Sequence, residues 1–345
     1  MPRKTFPDIS TRAYEHPADK AATSVLKQTP GLPQVLDFIG SFTSDRSLRI
    51  YFLSNSIKVS NTQLSDIHHL VQEGCSILDV QDEPEVYVTN NPYYNAMAVG
   101  FKKPYLVLHS SLVKNLSSDE LLNVIGHELG HIKSGHIVYS TILWILANIS
   151  LNLMGDVANL FVYPVVFALK DWARKAELTA DRAGLLTVQD PMIAYSTEAK
   201  LMAGGAFKSL DMEEVMKQAD EYDAYGDIID SAYKFMNVMW ASHPMGMSRL
   251  RELRRWVDSG IYQRILDGEY TRNDTKAEPF KDFEEAVKQF EDDLKTSEDP
   301  GAKLASQLWN GAQQFGQNVA SFFGGLGGTF GGTGTTTSDK DQGET

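Results

Sequence analysis

Cysteine is all but absent from this chain of 345 residues. Cys75 is the single one, so no intramolecular disulfide can form and a reducing compartment suits the protein. Its neighbours Ile77 and Leu78 mark it as a buried structural thiol. Basic residues are also short. Lys and Arg total 32 against 45 Asp and Glu, a net charge of −13. That balance lacks the basic footprint of nucleic-acid recognition, so no nucleic-acid partner is expected. The opening residues Met1 to Asp8 lack the apolar core of a signal peptide, and the expected location is the cytoplasm. Clean apolar runs of membrane-spanning length are missing too. Ile137 to Gly155 comes near the required length of about 20 residues but carries Asn148 and Asn152. Val157 to Leu169 is shorter and holds Pro164. Residues 137–170 therefore read as an apolar helical hairpin, buried or touching a membrane, rather than two spans.

What is present is an ordinary globular composition, 42% hydrophobic and 22% charged, and one segment with unusual chemical content. In His127-Glu128-Leu129-Gly130-His131 two imidazoles stand four residues apart, which on an α-helix puts them one turn apart on one face. Both can then reach a single zinc ion, while Glu128 aims at a water on its open side. The flanks read as helix. Ser117-Ser118-Asp119-Glu120 is a hydroxyl cap followed by acids that suit the positive end of the helix dipole. Leu121, Leu122, Val124, Ile125 and Leu129 recur at helical spacing. Gly126 and Gly130 leave room for another backbone, and Gly135 is a stop.

Catalytic zinc usually takes three protein ligands. His136 is the nearest candidate, but the pattern HExxHxxGxxH needs glycine at 134 and histidine at 137, and Ser134 and Ile137 stand there. His136 is read as a helix-end residue beside the site. Downstream, Glu177 and Asp181 lie four apart on a second helix and share a face. One carboxylate can bind metal while the other accepts a hydrogen bond from a ligand imidazole, fixing its tautomer.

These segments together resemble the gluzincin peptidases of the HtpX and CAAX prenyl endopeptidase family, whose signature is HExxH with a downstream ExxxD. Asn95-Ala96-Met97-Ala98-Val99-Gly100 is similar to the family's NAFAxG edge strand, with methionine in place of the usual aromatic. His243-Pro244 with Arg249 is similar to its HP…R element. The four motifs occur in family order across residues 95 to 249.

The resemblance implies one Zn2+ per chain held by His127, His131 and Glu177, with Asp181 beside a ligand imidazole. It implies Glu128 as general base, His243 as donor to the oxyanion, and Arg249 as a residue that orders the site or assists the oxyanion. Asn95, Ala96, Met97 and Ala98 would hold an extended substrate through the main chain of an edge strand. Strand character is supported on both sides by Glu85 to Thr89 and Pro104 to Leu108.

The expected fold is α+β, a mainly helical zincin-like domain with a small mixed sheet whose edge strand lines the cleft. The expected organisation is an N-terminal segment (1–30), a metallopeptidase domain (31–270), C-terminal amphipathic helices (271–323) and a Gly/Thr-rich disordered tail (324–345). The expected function is zinc-dependent endopeptidase acting on protein or peptide substrates, with a role in protein quality control implied by the resemblance. The alternative is a zinc-bound, catalytically quiet chaperone-like module. Membrane contact is expected, if anywhere, at 137–170 or 304–323. The latter stretch is read as surface packing, with occupation of the cleft as the sharper alternative. Nothing in the sequence sets an oligomeric state.

Overall fold

The computed structural model describes residues 2–29, 31–148, 155–205, 210–224 and 246–273. The expected C-terminal amphipathic helices beyond residue 273, including 304–323, lie outside the described residues, as do His243 and the tail.

A sheet of four strands is set among helices. Its strands are β1 (Ser56–Lys58), β2 (Glu85–Thr89), β3 (Ala96–Val99) and β4 (Tyr105–His109), in the spatial order β1-β2-β4-β3. β2 and β4 run parallel, and the other two pairs are antiparallel. β4 is buried along its whole length, which explains its unbroken apolar run: a strand covered on both faces has no solvent side to make polar. Its alternate residues serve different layers. Leu106 and Leu108 join Val86 and Ala96 in the main core, whereas Tyr105 and Val107 join Tyr87 and Val99 against Leu48 and Phe52. The latter two come from α3 (Asp45–Asn55). β3 lies at the edge of the sheet, as the sequence reading expects.

Two long helices form the centre. α6 (Ser118–Lys133) begins with a reciprocal cap: Ser117 Oγ accepts from the Glu120 amide at 3.3 Å and Glu120 Oε2 accepts from the Ser117 amide at 3.0 Å. Two of the helix's four orphan amide donors are thereby satisfied. Its stripe of Leu121, Leu122, Val124, Ile125 and Leu129 is buried. α8 (Gly155–Val188) packs along it. The two approach closely because of glycine: a Cβ at Gly126 would meet Thr187 Oγ1 at 2.3 Å, and one at Gly130 would meet Ala183 Cβ at 2.6 Å. α8 is one helix of 34 residues that runs through Pro164. The sequence reading takes the apolar stretch as interrupted there. Proline removes one backbone hydrogen bond, yet the helix continues on both sides, held by packing against α6 and against α1 (Pro17–Lys27).

α7 (Ile137–Asn148) packs against α8, and the connection between them lies outside the described residues. Ile142, Ile145, Leu146, Val165 and Leu169 pack with Ala22 and Leu26 of α1 and with Leu32, Val35 and Ile39 of α2 (Leu32–Phe42). Among the described residues no helix is long and apolar enough to cross a membrane. The remaining helices are α4 (Ser65–Leu78), α5 (Ser110–Asn115), α9 (Pro191–Ala203), α10 (Met212–Ala224), α11 (Gly246–Asp258) and α12 (Ile261–Leu266). The main core gathers Phe6, Ile9 and Tyr14 with Val71 and Leu78 of α4, the α6 stripe, and Leu250, Leu253 and Trp256 of α11. Cys75 lies in this core, and burial pushes its thiol up to about 12, so it stays protonated and inert.

Candidate metal centre

His127 and His131 project from the C-terminal half of α6 toward Glu177 on α8, and all three residues are buried. One donor atom from each lies within 4.8 Å of the other two. His127 Nε2 is 3.6 Å from Glu177 Oε2, and His131 Nε2 is 3.4 Å from Glu177 Oε1. Each imidazole nitrogen thus faces a different oxygen of the one carboxylate, and the three donors are close enough together to share one metal ion. The chemistry of the set agrees: two imidazole nitrogens and one carboxylate oxygen are borderline donors suited to Zn2+.

The backs of these groups are held. His127 Nδ1 is 3.0 Å from Asp181 Oδ1. A proton on Nδ1 donates to that carboxylate and leaves the Nε2 lone pair facing Glu177. Asp181 is in turn clamped by Arg249 of α11, whose Nε donates to Oδ2 at 2.9 Å and Nη2 to Oδ1 at 2.6 Å. Arg249 Nη1 is also 3.1 Å from Glu177 Oε2, and Nη2 is 3.4 Å from Glu198 Oε2 on α9. Burial alone would push the Asp181 carboxyl up and the Arg249 guanidinium down. Their attraction overrides both, holding Asp181 well below the usual carboxylate range and raising Arg249 well above its ordinary value. One buried cation thus neutralises acids from two helices and fixes the carboxylate Glu177 presents.

Glu128, buried at 2% exposure, sits between the two imidazoles in sequence. Asn95 precedes β3, and its side-chain oxygen is buried with no hydrogen-bond partner among the described residues. Ala96 and Ala98 are buried, whereas Met97 is half-buried on the face shared with Val99 and Tyr105. β3 pairs with β4 along one edge and packs against α6 and α7. His136 lies at the end of α6 with Nδ1 3.0 Å from His131 Nδ1. Glu198 carries no sequence signal: it belongs to neither motif, and only the packing of α9 brings it to Arg249.

With this geometry in place, comparison with known proteins is decisive. The sequence model of peptidase family M48 matches residues 61–257. This chain belongs to peptidase family M48. The M48 chain is 35% identical over 276 residues to the plastoglobule-localized metallopeptidase 48 of Arabidopsis thaliana, a chloroplastic protein, covering 77% of this chain and 78% of that one. It is 28% identical over 234 residues to a protease HtpX homolog of Helicobacter pylori, covering 60% and 72%. A protease HtpX homolog of Caldanaerobacter subterraneus is 24% identical over 221 residues, covering 54% and 71%. Membership makes the M48 chain a metalloprotease, a hydrolase whose substrates are proteins or peptides, and the resemblance read from the four motifs is correct.

Proposed function

We propose that this metalloprotease is a zinc-dependent endopeptidase in which His127, His131 and Glu177 hold the metal and Glu128 is the general base. The observation that carries the reading is the convergence of two imidazole nitrogens and one carboxylate, all buried, within 4.8 Å of one another. A zinc ion held there would supply Lewis-acid chemistry, bringing the pKa of a bound water toward ~7 and polarising the scissile carbonyl. The Glu128 carboxylate takes a proton from the attacking water and returns it to the leaving amine. Asp181 keeps the His127 proton on Nδ1, so that Nε2 remains a donor. Arg249 is a positioning residue that holds Glu177 and Asp181 in register. His243, outside the described residues, is the proposed donor to the oxyanion.

β3 is the proposed substrate platform. An edge strand offers main-chain donors and acceptors to an extended peptide, and the buried, unsatisfied Asn95 Oδ1 is a further acceptor for it. A role in protein quality control fits a protease that reads backbone rather than side chains.

The test is hydrolysis of casein or a peptide library with Glu128→Gln beside Glu177→Ala. Glu128→Gln is expected to keep stoichiometric zinc and lose activity by about 10²–10⁴-fold. Glu177→Ala is expected to lose zinc. An undiminished rate in the first refutes the base, and unchanged zinc affinity in the second removes Glu177 from the ligand set.

A further inference from the structure

Asp181 orients His127 directly. The other ligand imidazole, His131, is backed by a longer connection that starts in a distant part of the chain. α6 ends in a left-handed turn at Gly135, with φ of +72°. The Gly135 amide donates to the Ile132 carbonyl at 3.1 Å and the His136 amide to the His131 carbonyl at 2.9 Å. This double closure folds the residue after the helix back onto its last turn. It brings His136 Nδ1 to 3.0 Å from His131 Nδ1. On its far side, His136 Nε2 is 3.2 Å from Oδ2 of Asp19, a residue of α1 with no exposed surface. Asp19 is fixed in turn: Thr179 Oγ1 donates to Oδ2 at 2.5 Å and Thr23 Oγ1 to Oδ1 at 3.3 Å. Trp172 meets the His136 ring edge to face at 5.4 Å.

Only one proton arrangement satisfies every contact when Nε2 of His131 is a metal donor. His131 must carry its proton on Nδ1 and donate it. His136 must then accept at Nδ1, carry its own proton on Nε2, and donate that to Asp19, which as a carboxylate can only accept. We infer that His136 and Asp19 are positioning residues, forming a hydrogen-bonded line from the N-terminal helix to His131 that fixes this ligand's tautomer and orientation. Both ligand imidazoles are then carboxylate-backed, His127 through Asp181 and His131 through His136 to Asp19. The metal centre thereby depends on docking of α1, more than 100 residues upstream of the HExxH segment.

This inference rests on the metal reading above, so the test includes His131→Ala. Zinc affinity is measured by competition with a chromophoric chelator, and ligand geometry by the visible bands of the cobalt-substituted protein. Asp19→Ala and His136→Phe are expected to weaken zinc binding by about 10–100-fold and to shift the cobalt bands. Asp19→Asn and His136→Gln, which preserve shape, are expected to shift both in the same direction by less. Leu48→Ala, which thins a separate cluster that holds no residue of α1, is expected to change neither. In the zinc-loaded wild type, 15N spectra of labelled histidine are expected to place the His136 proton on Nε2. Wild-type affinity and spectra in the folded Asp19 and His136 variants, or a His136 proton on Nδ1, overturn the inference. Undiminished zinc binding in His131→Ala overturns the metal reading itself.

Discussion

Replacing Arg249 with methionine is the sharpest test of how this site is built. The side chain is buried at 4% exposure and meets Asp181 twice, Glu177 once and Glu198 once. Methionine has similar length and fills much of the space, so the packing loss is small beside the electrostatic one. Removing one partner of a buried ion pair costs about 3–5 kcal/mol, because the remaining charge stays buried without compensation. Three carboxylates lose their common cation here, so the upper part of that range is expected. For a domain of this size it corresponds to a fall in Tm of about 6–20 °C. The assay is urea unfolding of chelator-treated protein, which keeps metal linkage out of the comparison. Arg249→Lys is expected to fall between, since one ammonium cannot reproduce the planar fork that grips Asp181. The cycle with Asp181→Asn isolates the pair: the double variant is expected to be more stable than the sum of the single losses predicts, by about 1–3 kcal/mol. Additivity within about 0.5 kcal/mol, or a loss below about 1 kcal/mol in Arg249→Met, would show that Arg249 is a bystander.

Three other outcomes can be measured on the same protein. A methyl group at Gly130 collides with Ala183, so Gly130→Ala is expected to cost about 1–3 kcal/mol and to weaken zinc binding by separating α6 from α8. Adding Ala183→Gly is expected to restore both, read by thermal unfolding and metal competition. Chelation of zinc held at about 1,000 times its Kd is expected to remove about 4 kcal/mol of stability, seen as a fall in Tm that Glu177→Ala does not show. The Glu252 carboxyl, hydrogen-bonded by His16 and paired with Arg255, is brought down from 4.5 to about 2 in the folded protein. A depressed folded pKa stabilises above the unfolded value and loses that contribution as pH falls through the folded one. Glu252→Gln is therefore expected to flatten the decline between pH 4.5 and about 2, by at most ~3 kcal/mol.

Much of the site was legible because its chemistry is encoded at helical spacing. His127 and His131, and Glu177 and Asp181, are each four residues apart, so each pair shares a face wherever its helix goes. The Ser117–Glu120 cap, the Gly135 stop and the role of Gly126 and Gly130 follow from local geometry in the same way. The edge position of β3 came with the resemblance. The continuity of α8 through Pro164 was not legible. A proline weighs against a helix in any local reading, and only the packing of both halves against α1, α2, α6 and α7 outweighs it.

By itself, then, the sequence determined which atoms can bind metal and which faces carry them, because side-chain periodicity is a local property. It determined the family as well, since four motifs in order leave little freedom. Only the tertiary structure decided that the Arg249 guanidinium unites Asp181, Glu177 and Glu198, and that Asp19 reaches His136 across 117 residues of chain. Those partners are set by how helices pack, and nothing in the spacing of residues along one helix records what another will bring against it.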